Sequence, residues 1–293
     1  MKNGYGSTFH SMRKNKNYSL RDVSLDYISI AQLSKFERGD SDITLNKLAP
    51  LLDNITLSTS EFISELPPTQ FEDQLSFLEE ISQSYLLSNQ NKQELIQSIT
   101  KEIARLTLAT KPSSATKVYL SLLQLINQIL TEKPITSTQS FLKTEVIEYL
   151  FGAERWYKFE LLAFVNILPI LELDFIKSAS SELMRRVADI DCPFSIKNNL
   201  VDALLQTSVY LTRHKQNITA KNILSKFSKI ALPEQLFFKK ILVRFFLAYT
   251  QFKEFQSTTN QKTITEILVC LENYDYPTRA NQLRNFLADQ SFG

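Results

Sequence analysis

The chain has 293 residues, of which 43% are hydrophobic and 22% are charged, and its formal net charge is only +2. This composition is typical of a soluble globular protein of about two domains. The five glycines do not cluster beyond the first six residues, which disfavours the glycine-rich loops that bind phosphates and dinucleotides. There are two cysteines, no apolar run of about 18 residues, and no signal-peptide core at the start. We therefore expect a cytoplasmic protein with no membrane segment.

Apolar residues recur with helical spacing along nearly the whole chain, and no segment alternates as a strand would. We therefore expect an all-α protein. The Pro67-Pro68 pair cannot continue a helix, so it marks a boundary between domains. We place the first domain at residues 1–66, a linker at 67–69 and the second domain at 70–293.

Two short helices are predicted near the N-terminus, within a domain of five helices. The first follows a capping residue, Ser19, and runs over 20–23. The second follows a cap at Ser29 and ends at Gly39, which is suited to the position after a helix. Two short helices joined by a tight turn predict a helix-turn-helix arrangement.

The faces of the second short helix differ in polarity. Helical spacing places Ile30, Leu33 and Phe36 or Glu37 on the buried side. The outward residues are then Ala31, Gln32, Lys35 and Arg38. Gln suits adenine edges, Lys suits guanine or phosphate, and a small Ala lets a helix approach the major groove. This face therefore predicts binding to double-stranded DNA.

Charges in this domain are segregated along the chain. Residues 1–38 carry seven Lys or Arg against three acidic residues, whereas residues 39–66 carry one against five. A domain with one basic half can turn that half toward phosphates. The alternative is a chance segregation on a solvated surface.

Residues 4–62 resemble the phage-repressor-type helix-turn-helix domain of the Rgg family of Gram-positive regulators. The matching residues are Gly6, Phe9, Met12-Arg13-Lys14, Ser19-Leu20, Ile28-Ser29, Gln32-Leu33, the Ser34–Asp42 run, Ile43-Thr44-Leu45, Leu48, Leu51-Leu52 and Glu61-Phe62. The Ser34–Asp42 run is far more specific than a general helix-turn-helix pattern.

This resemblance implies roles for individual residues. Ala31, Gln32 and Lys35 would face bases, while Ser19, Arg38 and the start of the fourth helix near Thr44 would hold phosphates. Ser29 and Arg21 complete the predicted DNA-binding set. Some members of the family have Lys where this chain has Ile30, a difference that would alter site preference.

Some basic residues of the domain have a structural alternative. Arg13 and Glu37 look like the ion pair between helices 1 and 3 of such domains, so we weigh a structural role for Arg13 against a phosphate contact. Lys14, Lys16 and Arg21 stay open between DNA contacts and ordinary solvated charges.

Helices continue through the second domain with short connections. We predict helices over 71–87, 90–110, 113–131, 138–151, 154–168, 172–190, 195–213, 217–230, 233–252, 260–273 and 277–289. This pattern favours helical hairpins stacked into an α-solenoid. Since no exact sequence period is found, the repeats would be degenerate and tetratricopeptide-like.

A weaker resemblance to the Rgg family extends over this second domain. The run Glu154–Leu161 followed by Asn166 is similar to the family's central Trp…Glu-Leu…Asn signature. The resemblance implies a homodimer that binds a short hydrophobic signalling peptide, a quorum-sensing pheromone, on its concave surface. A regulator of this kind would also contact RNA polymerase.

Two helical stripes carry side chains that suit an extended peptide. Asn or Gln can clamp a peptide main chain, and Arg can meet a carboxylate. The first stripe comprises Arg155, Phe159, Leu162 and Asn166, and the second comprises Asn199, Asp202, Gln206, Tyr210 and Arg213. The alternative is that one of them is the solvated convex face. A third stripe is expected in the core: Phe238, Leu242, Phe245, Tyr249 and Phe252.

The sequence offers little for catalysis. His10 and His214 are the only histidines, and neither Cys192 nor Cys270 has a CxxC neighbour. We predict no catalytic residue, metal site or cofactor, and therefore no enzyme. The prediction is a peptide-controlled, DNA-binding transcription regulator. Its alternative keeps DNA binding but makes the helical domain a protein-docking scaffold without a peptide ligand.

Overall fold

A computed structural model describes residues 4–87, 92–132 and 137–289. These residues form sixteen α-helices, two short 3-10 turns and no strand, which confirms the all-α prediction. Contacts divide the chain into two compact units, residues 1–73 and residues 74–293. Within the described ranges, none of the helices has the length and apolar character needed to span a bilayer.

The first unit consists of five short helices. They are α1 (Gly4–Asn15), α2 (Leu20–Ser24), α3 (Ile30–Glu37), α4 (Leu45–Asn54) and α5 (Thr59–Ser64). Ser19 and Ser29 cap α2 and α3 as predicted, because each hydroxyl oxygen accepts a backbone N–H at 3.2 Å, from Asp22 and Gln32 respectively. These caps fix where both helices of the helix-turn-helix begin.

Aromatic packing holds the first unit together. Phe9 of α1 is fully buried, and its ring centroid lies 5.9 Å from that of Phe36 and 6.5 Å from that of Phe62. Helix α1 also approaches the end of α3 closely at Gly6, where an added Cβ would lie 1.8 Å from the carbonyl oxygen of Phe36. Only glycine permits this approach.

A buried ion pair links the same two helices. The Nε of Arg13 donates to Oε1 of Glu37 and its Nη2 donates to Oε2, both at 2.6 Å. His10 contacts the same Oε2 through Nδ1 at 2.6 Å, and Nη1 of Arg13 donates to the carbonyl of Tyr18 at 2.6 Å. The structural role predicted for Arg13 is confirmed.

Eleven helices follow, nearly all of them in the second unit. They are α6 (Gln70–Leu87), α7 (Lys92–Thr107), α8 (Ser114–Thr131), α9 (Ser137–Gly152), α10 (Lys158–Asn166), α11 (Leu173–Ala188), α12 (Phe194–Arg213), α13 (Asn217–Phe227), α14 (Phe237–Phe255), α15 (Thr258–Asn273) and α16 (Pro277–Asp289). Most pack against their neighbours in the chain, as expected of a solenoid. Helix α12 contacts α10, α11, α13 and α14, and it therefore lies at the centre of the unit.

The predicted helix over 154–168 is shorter than expected. Helix α10 begins at Lys158, because the backbone N–H of Tyr157 donates to Oε2 of Glu160 at 2.8 Å and starts the helix there. Trp156 lies before α10, where its Nε1 donates to the carbonyl of Leu150 at 2.9 Å. These contacts hold the residues before α10 in a turn that helical periodicity alone does not reveal.

Candidate functional site

Helix α3 exposes the polar face that the sequence predicts. Ala31, Lys35 and Arg38 are exposed and Gln32 is half-buried. Leu33, Phe36 and Glu37 are buried on the opposite side. Helix α3 and its C-cap therefore present the four residues that were predicted to face outward.

Ile30 is the exception on this helix. It is 46% exposed, so its predicted placement on the buried side is wrong. Ile28, just before the Ser29 cap, is buried in the same core as Leu33. These two residues occupy the positions of a hydrophobic staple, which fills the core at the start of α3 and leaves Ile30 outside it.

The other residues predicted to bind DNA have defined surroundings. Ser19 and Ser29 are exposed caps, and Arg21 is exposed on α2. The guanidinium of Arg38 donates to Asp40 at 2.8 Å and to the Ser34 hydroxyl at 2.6 Å, which holds it beside the end of α3. Thr44 precedes α4 and is exposed, and its side chain makes no capping hydrogen bond.

The second unit contains a groove with a cavity of about 230 Å³. Its lining residues, which define what we call the ligand groove, come from α6, α12, α14 and α16: Glu79, Gln83, Asp202, Leu205, Gln206, Val209, Phe238, Lys239, Leu242, Phe246, Arg279, Gln282 and Leu283. Apolar walls with a few polar groups are typical of ligand sites. The volume suits a few apolar side chains of a ligand.

Most of the charged side chains that line the ligand groove form ion pairs. Asp202 and Lys239 lie 2.6 Å apart, and Lys158 pairs with Glu79 at 2.7 Å. Burial raises the pKa of the Asp202 carboxyl, and the hydrogen bond from Lys239 opposes this rise without cancelling it. Among the described residues, Arg279 donates to the neutral side chain of Gln282 at 2.9 Å and forms no ion pair.

Gln206 contributes an unused acceptor. Its Oε1 is buried and has no hydrogen-bond partner within the described part of the chain. A buried polar atom without a partner costs free energy, roughly 1–3 kcal/mol. Because this residue lines the ligand groove, a ligand N–H could satisfy it.

The predicted second stripe lies only partly in the ligand groove. Asp202 and Gln206 line it, whereas Asn199 is half-buried on α12 outside the lining. Tyr210 packs against His214, with ring centroids 4.3 Å apart and the ring planes tilted by 39°. The Arg213 guanidinium lies 5.4 Å from the ring centroid of Phe286 on α16.

The first stripe does not form a common surface. Arg155 is exposed but lies before α10, whereas Phe159 is buried with its ring centroid 5.8 Å from that of Tyr149. Asn166 is also buried, and its Nδ2 donates to the carbonyls of Leu78 at 3.0 Å and Leu162 at 2.9 Å. The expected surface placement of Phe159 and Asn166 is therefore wrong in this structure, because α10 is covered by its neighbours and Asn166 links it to α6.

Several groove residues were not predicted from the sequence. Phe238 and Leu242 line the groove, although their stripe was assigned to the core, where Phe245 and Tyr249 do lie. The contribution of α16 has a weak signal in the sequence, because Arg279 and Leu283 are spaced one helical turn apart. Within the described ranges, no group of three or more His, Cys, Asp or Glu side chains could hold a metal ion.

Comparison with known proteins assigns the family. A sequence model of the C-terminal domain of the HTH-type transcriptional regulator Rgg matches residues 93–285, which is more than half of the chain. This chain belongs to the Rgg family. Its members are transcriptional regulators and not enzymes.

Solved structures resemble this Rgg-family chain over nearly its whole length. The SHP pheromone receptor Rgg2 of Streptococcus dysgalactiae is 18% identical, with a TM-score of 0.66, over 96% of this chain and 99% of that one. A Listeria monocytogenes EGD-e protein assigned as a transcriptional regulator is 16% identical, with a TM-score of 0.77, over 99% of both chains. PrgX in complex with cCF10 is 11% identical, with a TM-score of 0.66, over 98% of this chain and 99% of that one. At these identities the likeness shows the fold.

Proposed function

We propose that this Rgg-family regulator binds DNA through α3 and is controlled by a short hydrophobic signalling peptide bound in the ligand groove. The observation that carries the proposal is the apolar groove with the unpartnered Oε1 of Gln206 in its lining. Two structural relatives also support it, since Rgg2 is a pheromone receptor and PrgX was solved in complex with cCF10.

In this proposal α3 enters the major groove. Gln32 would read an adenine edge, and Lys35 would meet guanine or phosphate. Ser19, Ser29, Arg21, Arg38 and Thr44 would hold the DNA backbone. A homodimer would place two copies of α3 at half-sites about 34 Å apart, one turn of the DNA helix.

In the ligand groove, the peptide would insert apolar side chains between Leu205, Val209 and Leu242. Its main chain would donate an N–H to Gln206. A carboxylate on the peptide would meet Arg279, whose side chain is exposed. Such a peptide would shift the equilibrium between two dimer arrangements only if it binds them with unequal affinity. RNA polymerase is the further partner through which a DNA-bound dimer would act.

The DNA half is tested by fluorescence anisotropy at fixed salt, with duplexes from the protein's own upstream region. We expect specific binding that is lost in the double variant Gln32→Ala/Lys35→Ala. Salt is fixed because phosphate contacts make the affinity steeply salt-dependent. Lys117→Ala is the matched control, since Lys117 is an exposed lysine of the second unit. Equal binding by the double variant and the wild type would contradict the proposed role of α3.

The peptide half is tested by thermal unfolding in the presence of a library of short hydrophobic synthetic peptides. A bound peptide raises the midpoint, because it binds the folded state and not the unfolded one. We expect this shift to be lost in Val209→Glu, which places a charge in the ligand groove. Binding of a whole protein to the second unit, with no shift from any peptide, would favour the protein-docking scaffold instead.

A further inference from the structure

Exposed apolar side chains lie at the turn before α3 and at its start. Leu25 is 60% exposed, Tyr27 is 49% exposed and Ile30 is 46% exposed. The segment 27–34 contains no charged residue at all. The part of a helix-turn-helix that meets base edges is the N-terminal part of its second helix. Here that part is apolar at Ile30 and Ala31 and polar only at Ser29 and Gln32.

Packing within the first unit does not explain Ile30. The core at this point is filled by Ile28 and Leu33, which are 5% and 0% exposed. Ile30 belongs neither to that core nor to the partly buried side chains against it. Its apolar side chain is therefore available to a partner.

The charges around Ile30 favour DNA as that partner. Arg21 on α2 and Lys35 on α3 are both exposed. A helix-turn-helix with an exposed cation on each helix and an uncharged stretch over 27–34 suits the major groove, where base edges lie between two rows of phosphates.

We propose that Ile30 packs against the 5-methyl group of a thymine in the major groove. This inference rests on the proposed DNA-binding function and adds a base preference to it. The thymine methyl is the apolar group that base pairs present in the major groove. Opposite any other base, Ile30 would cover polar edge atoms and leave them without hydrogen bonds. The preferred half-site therefore contains a thymine within reach of Ile30 in addition to the adenine read by Gln32.

The probe is a DNA duplex obtained by selection for binding to the protein. Full-length protein selects a preferred sequence from a double-stranded library with a randomised centre. The selected duplex is then synthesised with each thymine replaced in turn by deoxyuridine, which removes the 5-methyl group and keeps every hydrogen-bonding atom. Fluorescence anisotropy at fixed salt gives the Kd of each duplex.

We expect deoxyuridine to weaken wild-type binding about fourfold at one position per half-site, the change given by burial of one methyl-sized group. Ile30→Ala should weaken binding to the thymine duplex and show no further loss with deoxyuridine at that position. Ile63→Ala is the matched control, since Ile63 is 54% exposed on α5 of the same unit. It should keep the full deoxyuridine effect.

The outcomes separate this inference from the function on which it rests. If the library yields no preferred sequence, sequence-specific DNA binding fails and the inference fails with it. If a preferred duplex is found but every thymine can be replaced without effect, the inference alone is overturned. A deoxyuridine effect that persists undiminished in Ile30→Ala overturns it as well, because another residue then contacts the methyl group.

Discussion

The Arg13–Glu37 pair places two opposite charges inside the first unit, where the side chains are only 3% and 5% exposed. Removing one partner of a buried pair leaves the other charge without compensation. We predict that Arg13→Met destabilises the first unit by about 3–5 kcal/mol. Hydrogen exchange of backbone amides in residues 4–66 of the full chain measures this change.

The control for this prediction is Arg38→Met, which breaks an exposed pair on the same unit. Arg38 and Asp40 are 58% and 49% exposed, and pairs of this kind contribute roughly 0–1 kcal/mol. Equal effects of the two substitutions would contradict a special role for the buried pair.

Acid should destabilise the first unit through Glu37. Burial alone would raise the pKa of Glu37, but hydrogen bonds from Arg13 and His10 outweigh burial and hold the pKa below its ordinary value of 4.5. A carboxyl with a lowered folded pKa stabilises the fold above its unfolded pKa and loses that contribution as the pH falls through the folded value. The protection factors of the amides in residues 4–66, which are corrected for the intrinsic exchange rate at each pH, should therefore fall below pH 4.5 in the wild type. This fall in the protection factors should be smaller in Glu37→Gln, and an identical pH profile for the variant would contradict this assignment.

Gln206 has opposite effects on the stability of the ligand-free protein and on the proposed peptide binding. Gln206→Leu removes a buried acceptor without a partner, so we predict that the ligand-free protein gains about 1 kcal/mol. The same change removes the proposed clamp on the peptide, so peptide affinity should fall. Thermal unfolding without and with the library peptides measures both effects. A variant that is less stable than the wild type would show that Gln206 supports the fold instead.

Helices α1 and α3 approach each other at Gly6 more closely than a side chain at that position would allow. We predict that Gly6→Ala destabilises the first unit by about 1–3 kcal/mol or more, because its Cβ would overlap the Phe36 carbonyl. Gly152→Ala is the matched control, since no atom lies within 4 Å of a Cβ at the end of α9. Urea unfolding of both variants, followed by hydrogen exchange of residues 4–66, measures the difference. Similar stabilities would contradict the close approach.

Long and short helices differ in how well helical periodicity predicts them. The bounds of α12 and α8 follow the predicted helices within one residue, because long apolar repeats and start signals agree there. Helix α3 has eight residues, so the staple made by Ile28 decides which side chain is buried at its start. Periodicity alone placed Ile30 inside, and it placed Phe159 and Asn166 outside because it does not reveal that neighbouring helices cover α10.

At the scale of the whole molecule, the family and the α-helical class follow from local sequence, whereas the ligand groove does not. Its walls come from α6, α12, α14 and α16, which lie far apart in the chain. The α12 residues Asp202 and Gln206 were predicted from their types. The opposing residues of α14 and α16 depend on how the helices stack, and no exact sequence period gives that stacking.

The central claim is that the ligand groove controls α3. The measurement is the Kd of the selected DNA duplex, by fluorescence anisotropy at fixed salt, without peptide and with a saturating library peptide that binds the protein. We predict a change of roughly 5- to 150-fold in either direction, and an equal change in peptide affinity when DNA is present, since coupling between two sites is reciprocal. The change should disappear in Val209→Glu. A peptide that binds the groove tightly and leaves the Kd for DNA unchanged would contradict the account.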